Sequence, residues 1–194
     1  MMKNYLIILT LGACHSVSHA NPAPINTHLP IDRVLSVVTT DWNEDGLQDR
    51  AILIASDDSS ADLYVFEATD TDQQSPKALK VYKQGMAWMG GMWGTQPELK
   101  LSGRNSLQIV SQNDAIGRDR WTETITVTRR DGEYRVVGYT YNSRDTLDPD
   151  AFHSCDINLL NGKAVIDGKA QKHTLKAVRL ADWSSTPPEL CQSN

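Results

Sequence analysis

The segment Asp41-Trp42-Asn43-Glu44-Asp45-Gly46-Leu47-Gln48-Asp49 places side-chain oxygens at its first, third, fifth and ninth positions and a glycine at its sixth. A chain curling around an ion turns every second residue inward, and calcium takes roughly six to eight hard oxygen ligands. Asp41, Asn43, Asp45 and Asp49 are the candidate ligands, with the carbonyl of Leu47 as a further oxygen. Gly46 allows the sharp turn. Glu44 falls on the other side of the alternation and is expected in solvent. The competing reading is a polar turn whose Asp and Asn side chains bond their own backbone. An ion held at about a hundred times its dissociation constant would add about 2.7 kcal/mol to stability, making calcium a staple between two strands.

A second stretch, Gly85 to Gly94, holds Met86, Met89 and Met92 at intervals of three, together with Trp88 and Trp93. Three chemistries compete for it. Thioethers are soft ligands suited to Cu(I), although the stretch contains neither histidine nor cysteine. Adaptable apolar residues also close the end of a β domain. Exposed aromatics, finally, make a surface for a protein or glycan partner.

Enzymatic chemistry has less to build on. His153 lies among Asp148, Asp150, Cys155 and Asp156, the best local cluster of titratable groups and the place where a hydrolase would keep its acids. His28 and His173 lack such company. Neither a G-x-S-x-G nucleophile elbow, an H-E-x-x-H helix nor a phosphate-binding glycine loop occurs. Arg118, Arg120 and Arg144 beside Asp119 and Asp145 read as cross-strand ion pairs.

The elements that position these residues are strands. Val34–Val38 enters the acidic loop. The apolar run Ala51-Ile52-Leu53-Ile54-Ala55 leaves it, with burial expected on both faces. Further strands are expected at 63–66, 79–82, 99–101 and 107–110. Trp121 to Thr128 alternates apolar with polar residues, and Asp131-Gly132 is a favoured two-residue turn into Tyr134–Tyr139. A second hairpin spans 156–160 and 163–166 across Asn161-Gly162, and a last strand is expected at 173–180. Short strands at this spacing, without a convincing amphipathic helix, predict one antiparallel all-β domain over residues 31–194, a sandwich or an open barrel.

The first twenty residues are expected to be a signal peptide. Lys3 is followed by an apolar run and by Ser18-His19-Ala20, a small-x-small cleavage site. Residues 21–30 then form an extended leader. Leu11-Gly12-Ala13-Cys14 offers the alternative of lipoprotein processing with a lipid on Cys14. Both routes lead out of the cytoplasm, to a periplasmic or secreted protein, and no other run is apolar enough to span a membrane. Of 19 basic residues, cleavage removes Lys3 alone and leaves 24 acidic ones, for a formal charge of −6. Such a chain repels a phosphate backbone, which argues against nucleic acid. It retains Cys155 and Cys191, a pairable number in an oxidising compartment. Their bridge would contribute about 3–4 kcal/mol by restricting the unfolded chain.

The pattern D-x-N-x-D-G-x-x-D before a hydrophobic strand resembles the calcium loop of the FG-GAP and VCBS repeats of integrin-type propellers. The resemblance covers about residues 34–66. It implies calcium on Asp41, Asn43, Asp45 and Asp49. A second copy of the loop is missing from the sequence, which disfavours a full propeller. The sequence as a whole reads as an extracytoplasmic calcium-binding β protein that works as a non-catalytic binding module, with Met86, Trp88, Met89, Met92 and Trp93 as the first candidate surface. The alternatives are the hydrolase and the copper-handling protein described above.

Overall fold

A computed structural model describes residues 29–69, 78–103, 105–184 and 186–192. The expected signal peptide, Cys14, His28 and most of the leader lie outside the described residues.

Two antiparallel sheets make the fold, with the all-β, non-propeller architecture expected from the strand spacing. The smaller contains β1 (Val34–Thr40), β2 (Asp49–Ala55), β3 (Ser60–Glu67) and β4 (Ala78–Trp88) in that spatial order. The larger is a meander of β5 (Glu98–Ser102), β6 (Ser106–Asn113), β7 (Asp119–Arg130), β8 (Glu133–Asp145), β9 (Phe152–Asn158), β10 (Lys163–Ile166) and β11 (Lys169–Lys172). A two-residue β12 (Val178–Arg179) adds to β8 beyond the end of β9.

Alternation decides which side chains face the core. Ala51 and Leu53 of β2 and Ala61, Leu63 and Val65 of β3 are fully buried. They join Leu107, Ile109, Ile125, Val127, Val136 and Ile157 of the larger sheet in one cluster. β2 is buried on part of its second face as well, because Ile54 is also buried. Ser36 Oγ accepts the Leu99 amide at 3.0 Å, tying β1 to β5 across the two sheets.

Several elements differ from expectation: the strand expected at 134–139 continues to Asp145, and the one expected from 156 begins at Phe152. The strand expected at 79–82 continues to Trp88, so Met86 belongs to β4 and not to a loop. The last strand, expected over 173–180, shrinks to Val178–Arg179, while 169–172 forms β11 through a tight turn at Asp167-Gly168. Cross-strand pairing with β10 outweighs the weak strand propensity of Lys-Ala-Gln-Lys.

Candidate functional site

The acidic loop joins β1 to β2 and closes on itself. Asp41 accepts the amides of Asp45 at 3.1 Å and Gly46 at 2.8 Å. Asn43 Oδ1 accepts the Asp45 amide at 3.0 Å, and Asp45 Oδ1 accepts the Leu47 amide at 2.8 Å. Asn43 Nδ2 donates to the other Asp45 oxygen at 2.7 Å. Gly46 has φ +87°, the left-handed conformation expected of it, and Glu44 shares that region at φ 61°. Glu44 turns away and accepts from Asn105 at 2.9 Å.

Asp49 differs from the other three. It is fully buried, and its two oxygens accept the amides of Trp42 at 3.1 Å and Ala68 at 2.9 Å. Burial pushes its carboxyl above the ordinary value, partly offset by those two bonds. Asp49 therefore closes the loop from beneath and ties it to the end of β3. Any contribution to an ion comes from the lone pairs left over.

The donor set fits a hard cation. Asp41, Asn43 and Asp45 offer oxygen ligands, and each oxygen already bonded to an amide keeps a second lone pair. Among the described residues no three His, Cys, Asp or Glu side chains converge on one point, so a cation here would lean on Asn43 and on backbone oxygen.

The Met–Trp stretch lies at the opposite end of the smaller sheet, where the Met89 amide bonds the Ser59 carbonyl at 3.0 Å. Its residues separate. Met86 is buried in the core, Trp88 and Met89 are half-buried, Met92 is exposed, and Trp93 is 93% exposed at the tip. The three thioethers thus occupy three environments. The loop itself is firmly held. The Gly90 amide bonds Thr95 O at 3.1 Å, the Thr95 amide bonds Met92 O at 3.2 Å, and Gln96 reaches Gly90 O at 3.3 Å. A Cβ on Gly90 would fall 2.7 Å from Thr95 Oγ1, so only glycine packs there.

One neighbouring loop is bonded to it, and a second loop is bonded to that one. The Asp114 amide bonds Gly94 O at 3.1 Å, and Arg144 meets Asp114 at 3.0 Å. Arg118 meets Asp145 at 2.6 Å, and the Thr146 amide bonds Arg118 O at 3.0 Å. Arg118 pairs with Asp145 as expected, whereas Arg144 pairs with Asp114, and neither Arg120 nor Asp119 forms an ion pair among the described residues. The same loops expose Ile116 and, at 76%, Leu147, and Phe152 at the start of β9 is 57% exposed. Sequence reasoning misses these three because they sit singly in polar segments. Their one available signal is that each is a large apolar residue beside Asp-rich sequence.

His153 is engaged structurally. Nδ1 lies 3.0 Å from Asp167 Oδ1 and Nε2 lies 3.0 Å from the Cys191 carbonyl. Cys155 and Cys191 form the expected disulfide, which fastens the C-terminal segment to β9. With Cys155 oxidised, a Cys–His nucleophile pair is ruled out in this form. Asp148 and Asp156 bond the Asp150 amide and Thr140 Oγ1.

No family model, curated protein or solved structure matches the chain. Among the described residues no helix is long and apolar enough to cross a membrane.

Proposed function

We propose that this protein is an extracytoplasmic, non-catalytic binding module, stabilised by calcium in a loop of the FG-GAP/VCBS kind and presenting its partner surface at the Trp93 end. The observation that carries the reading is the set of three hydrogen-bonded loops exposing Met92, Trp93, Ile116 and Leu147, with Phe152 exposed at the start of β9. A loop held by its backbone gains nothing in folding by displaying tryptophan to water, whereas exposed apolar patches rimmed by charge mark interaction sites. Aliphatic side chains beside the rings favour a protein partner over a glycan, which stacks on rings alone. The disulfide supports an oxidising compartment.

Calcium would be held by Asp41, Asn43, Asp45 and the Leu47 carbonyl, with Asp49 beneath them. It would supply charge that relieves repulsion between the loop carboxylates. Unfolding in EDTA and in millimolar calcium, with magnesium as control, tests this half. A melting temperature raised by calcium and not in Asp45→Ala supports it, and an unchanged one overturns it.

Site-specific photo-cross-linking tests the surface. A cross-linker at position 92, which is exposed beside Trp93, should capture a defined species that is absent when the probe is at Leu160, on the opposite end, and lost on Trp93→Ala or Phe152→Ala. Equal capture at both positions would remove the Trp93 end as the partner surface.

A further inference from the structure

A cavity of about 410 Å³ is lined jointly by the acidic loop and the C-terminal end of β7. Trp42 and Glu44 line it from the loop, and Thr128, Arg129 and Arg130 from the strand. Small-molecule sites occupy about 300–1,000 Å³, so the space suits a ligand of modest size.

Two opposite charges line this cavity without pairing. Glu44 is fixed in position, because its backbone is left-handed at φ 61° and its carboxylate accepts from Asn105, another lining residue, at 2.9 Å. It forms no ion pair among the described residues. Arg130 is also exposed and also without an ion pair among them, although Glu133 stands opposite it on β8. The two are too far apart to pair with each other. Beside Arg130, Arg129 Nε donates to Glu67 at 2.6 Å, and Glu67 also meets Lys80 at 3.3 Å, so one carboxylate answers two cations. Trp42 Nε1 and Thr128 Oγ1 are buried without a hydrogen-bond partner among the described residues, whereas buried polar groups are ordinarily bonded. The lining around Arg130 is thus short of negative charge and of acceptors.

We propose that this cavity binds a small zwitterion of the amino-acid type, free or as a dipeptide, with its carboxylate on Arg130 and its ammonium on Glu44. A simple anion would be repelled by Glu44, and a simple cation by Arg130. A neutral sugar would leave both charges to water. A ligand with both charges satisfies each at once, through the charge-assisted hydrogen bonds that guanidinium and carboxylate groups form. Its side chain would lie against Trp42 and Leu160, the latter 50% exposed, which favours an apolar residue. The inference goes beyond the proposed function, since it requires neither a cation in the loop nor the Trp93 surface.

The test uses the whole disulfide-bonded protein in millimolar calcium. It is titrated with L-leucine and with leucyl-leucine, whose charges are spaced further apart, and followed by tryptophan fluorescence and calorimetry. Saturable binding of at least one is expected, with a dissociation constant on the order of a millimolar. Glu44→Gln removes the charge but keeps the side-chain length and an acceptor for Asn105. Arg130→Gln changes an exposed residue, so both variants should melt as the parent protein does. Each should weaken binding about tenfold or more, while Lys169→Gln, on the far edge of the larger sheet, leaves it unchanged. The deaminated form and the carboxamide of the bound ligand, which carry one charge or the other, should also bind about tenfold or more weakly. No saturation by either ligand up to about 50 mM would overturn the proposal. Undiminished affinity in Glu44→Gln or Arg130→Gln, or full affinity for either single-charge analogue, would do the same.

Discussion

The two ends of the smaller sheet use one device for opposite purposes. Both loops are fixed by short bonds to backbone groups. In the 41–49 loop the side chains make those bonds, and the carboxylates of Asp41, Asp45 and Asp49 turn onto amides of the loop and its support. In the 89–97 loop the backbone makes most of them, leaving the side chains of Met92 and Trp93 to face solvent. The first loop uses its chemistry on its own conformation. The second keeps its chemistry for something outside the molecule. Stability and recognition are therefore expected to respond to different residues.

The largest effect should come from breaking the first loop at its base. Asp49→Ala leaves the buried amides of Trp42 and Ala68 without an acceptor, at a cost of about 1–3 kcal/mol each. Chemical denaturation should show a loss of about 2–5 kcal/mol, with or without calcium. A loss below about 0.5 kcal/mol would mean that Asp49 does not anchor the loop. Close in size is removal of the Cys155–Cys191 bridge by Cys191→Ser, expected to lower stability by about 3–4 kcal/mol. The same change should alter Trp183 emission, because Trp183 packs on Tyr139 near the fastened tail.

Calcium should come next. At about a hundredfold excess over its dissociation constant it adds about 2.7 kcal/mol, and Asp45→Ala should abolish that increment while Trp93→Ala keeps it. If both variants keep it, the cation binds elsewhere.

The pH dependence provides a finer probe. Glu123 has its folded value raised by burial above 4.5, so its protonated form is the one that folding favours. Its stabilising contribution is complete below pH 4.5 and is lost as the pH rises through the folded value. Wild-type stability should thus fall over that window relative to Glu123→Gln. Parallel profiles would assign the carboxyl an ordinary environment. The smallest effect is predicted at the other loop. Trp93→Ala should change stability by less than about 0.5 kcal/mol, even as it removes partner capture. A larger loss would make Trp93 a structural residue and erase the contrast between the ends.

Much of this is legible in residue order. The spacing of Asp41, Asn43, Asp45 and Gly46 is local information, because the bonds that close the loop join residues two to five apart. The 121–128 and 134–139 hairpin is legible for the same reason, through its period of two and its Asp-Gly turn. β11 is not legible, because pairing with β10 and not propensity makes it a strand.

By itself, then, the sequence determined the fold class, the closed acidic loop and the cysteine pair, all of which depend on spacing or on number. Tertiary structure decided the rest. It buried Met86 and exposed Trp93 within one short stretch, and it sent Asp49 inward to the amide of Ala68, 19 residues further along the chain. It also tied the 114–118 loop to Gly94 and the 145–151 loop to Arg118, and set Trp88 of β4 and Tyr141 of β8 against Trp121 of β7. Burial and long-range contact are properties of the packed sheets, and no local pattern encodes which neighbour a given strand will meet.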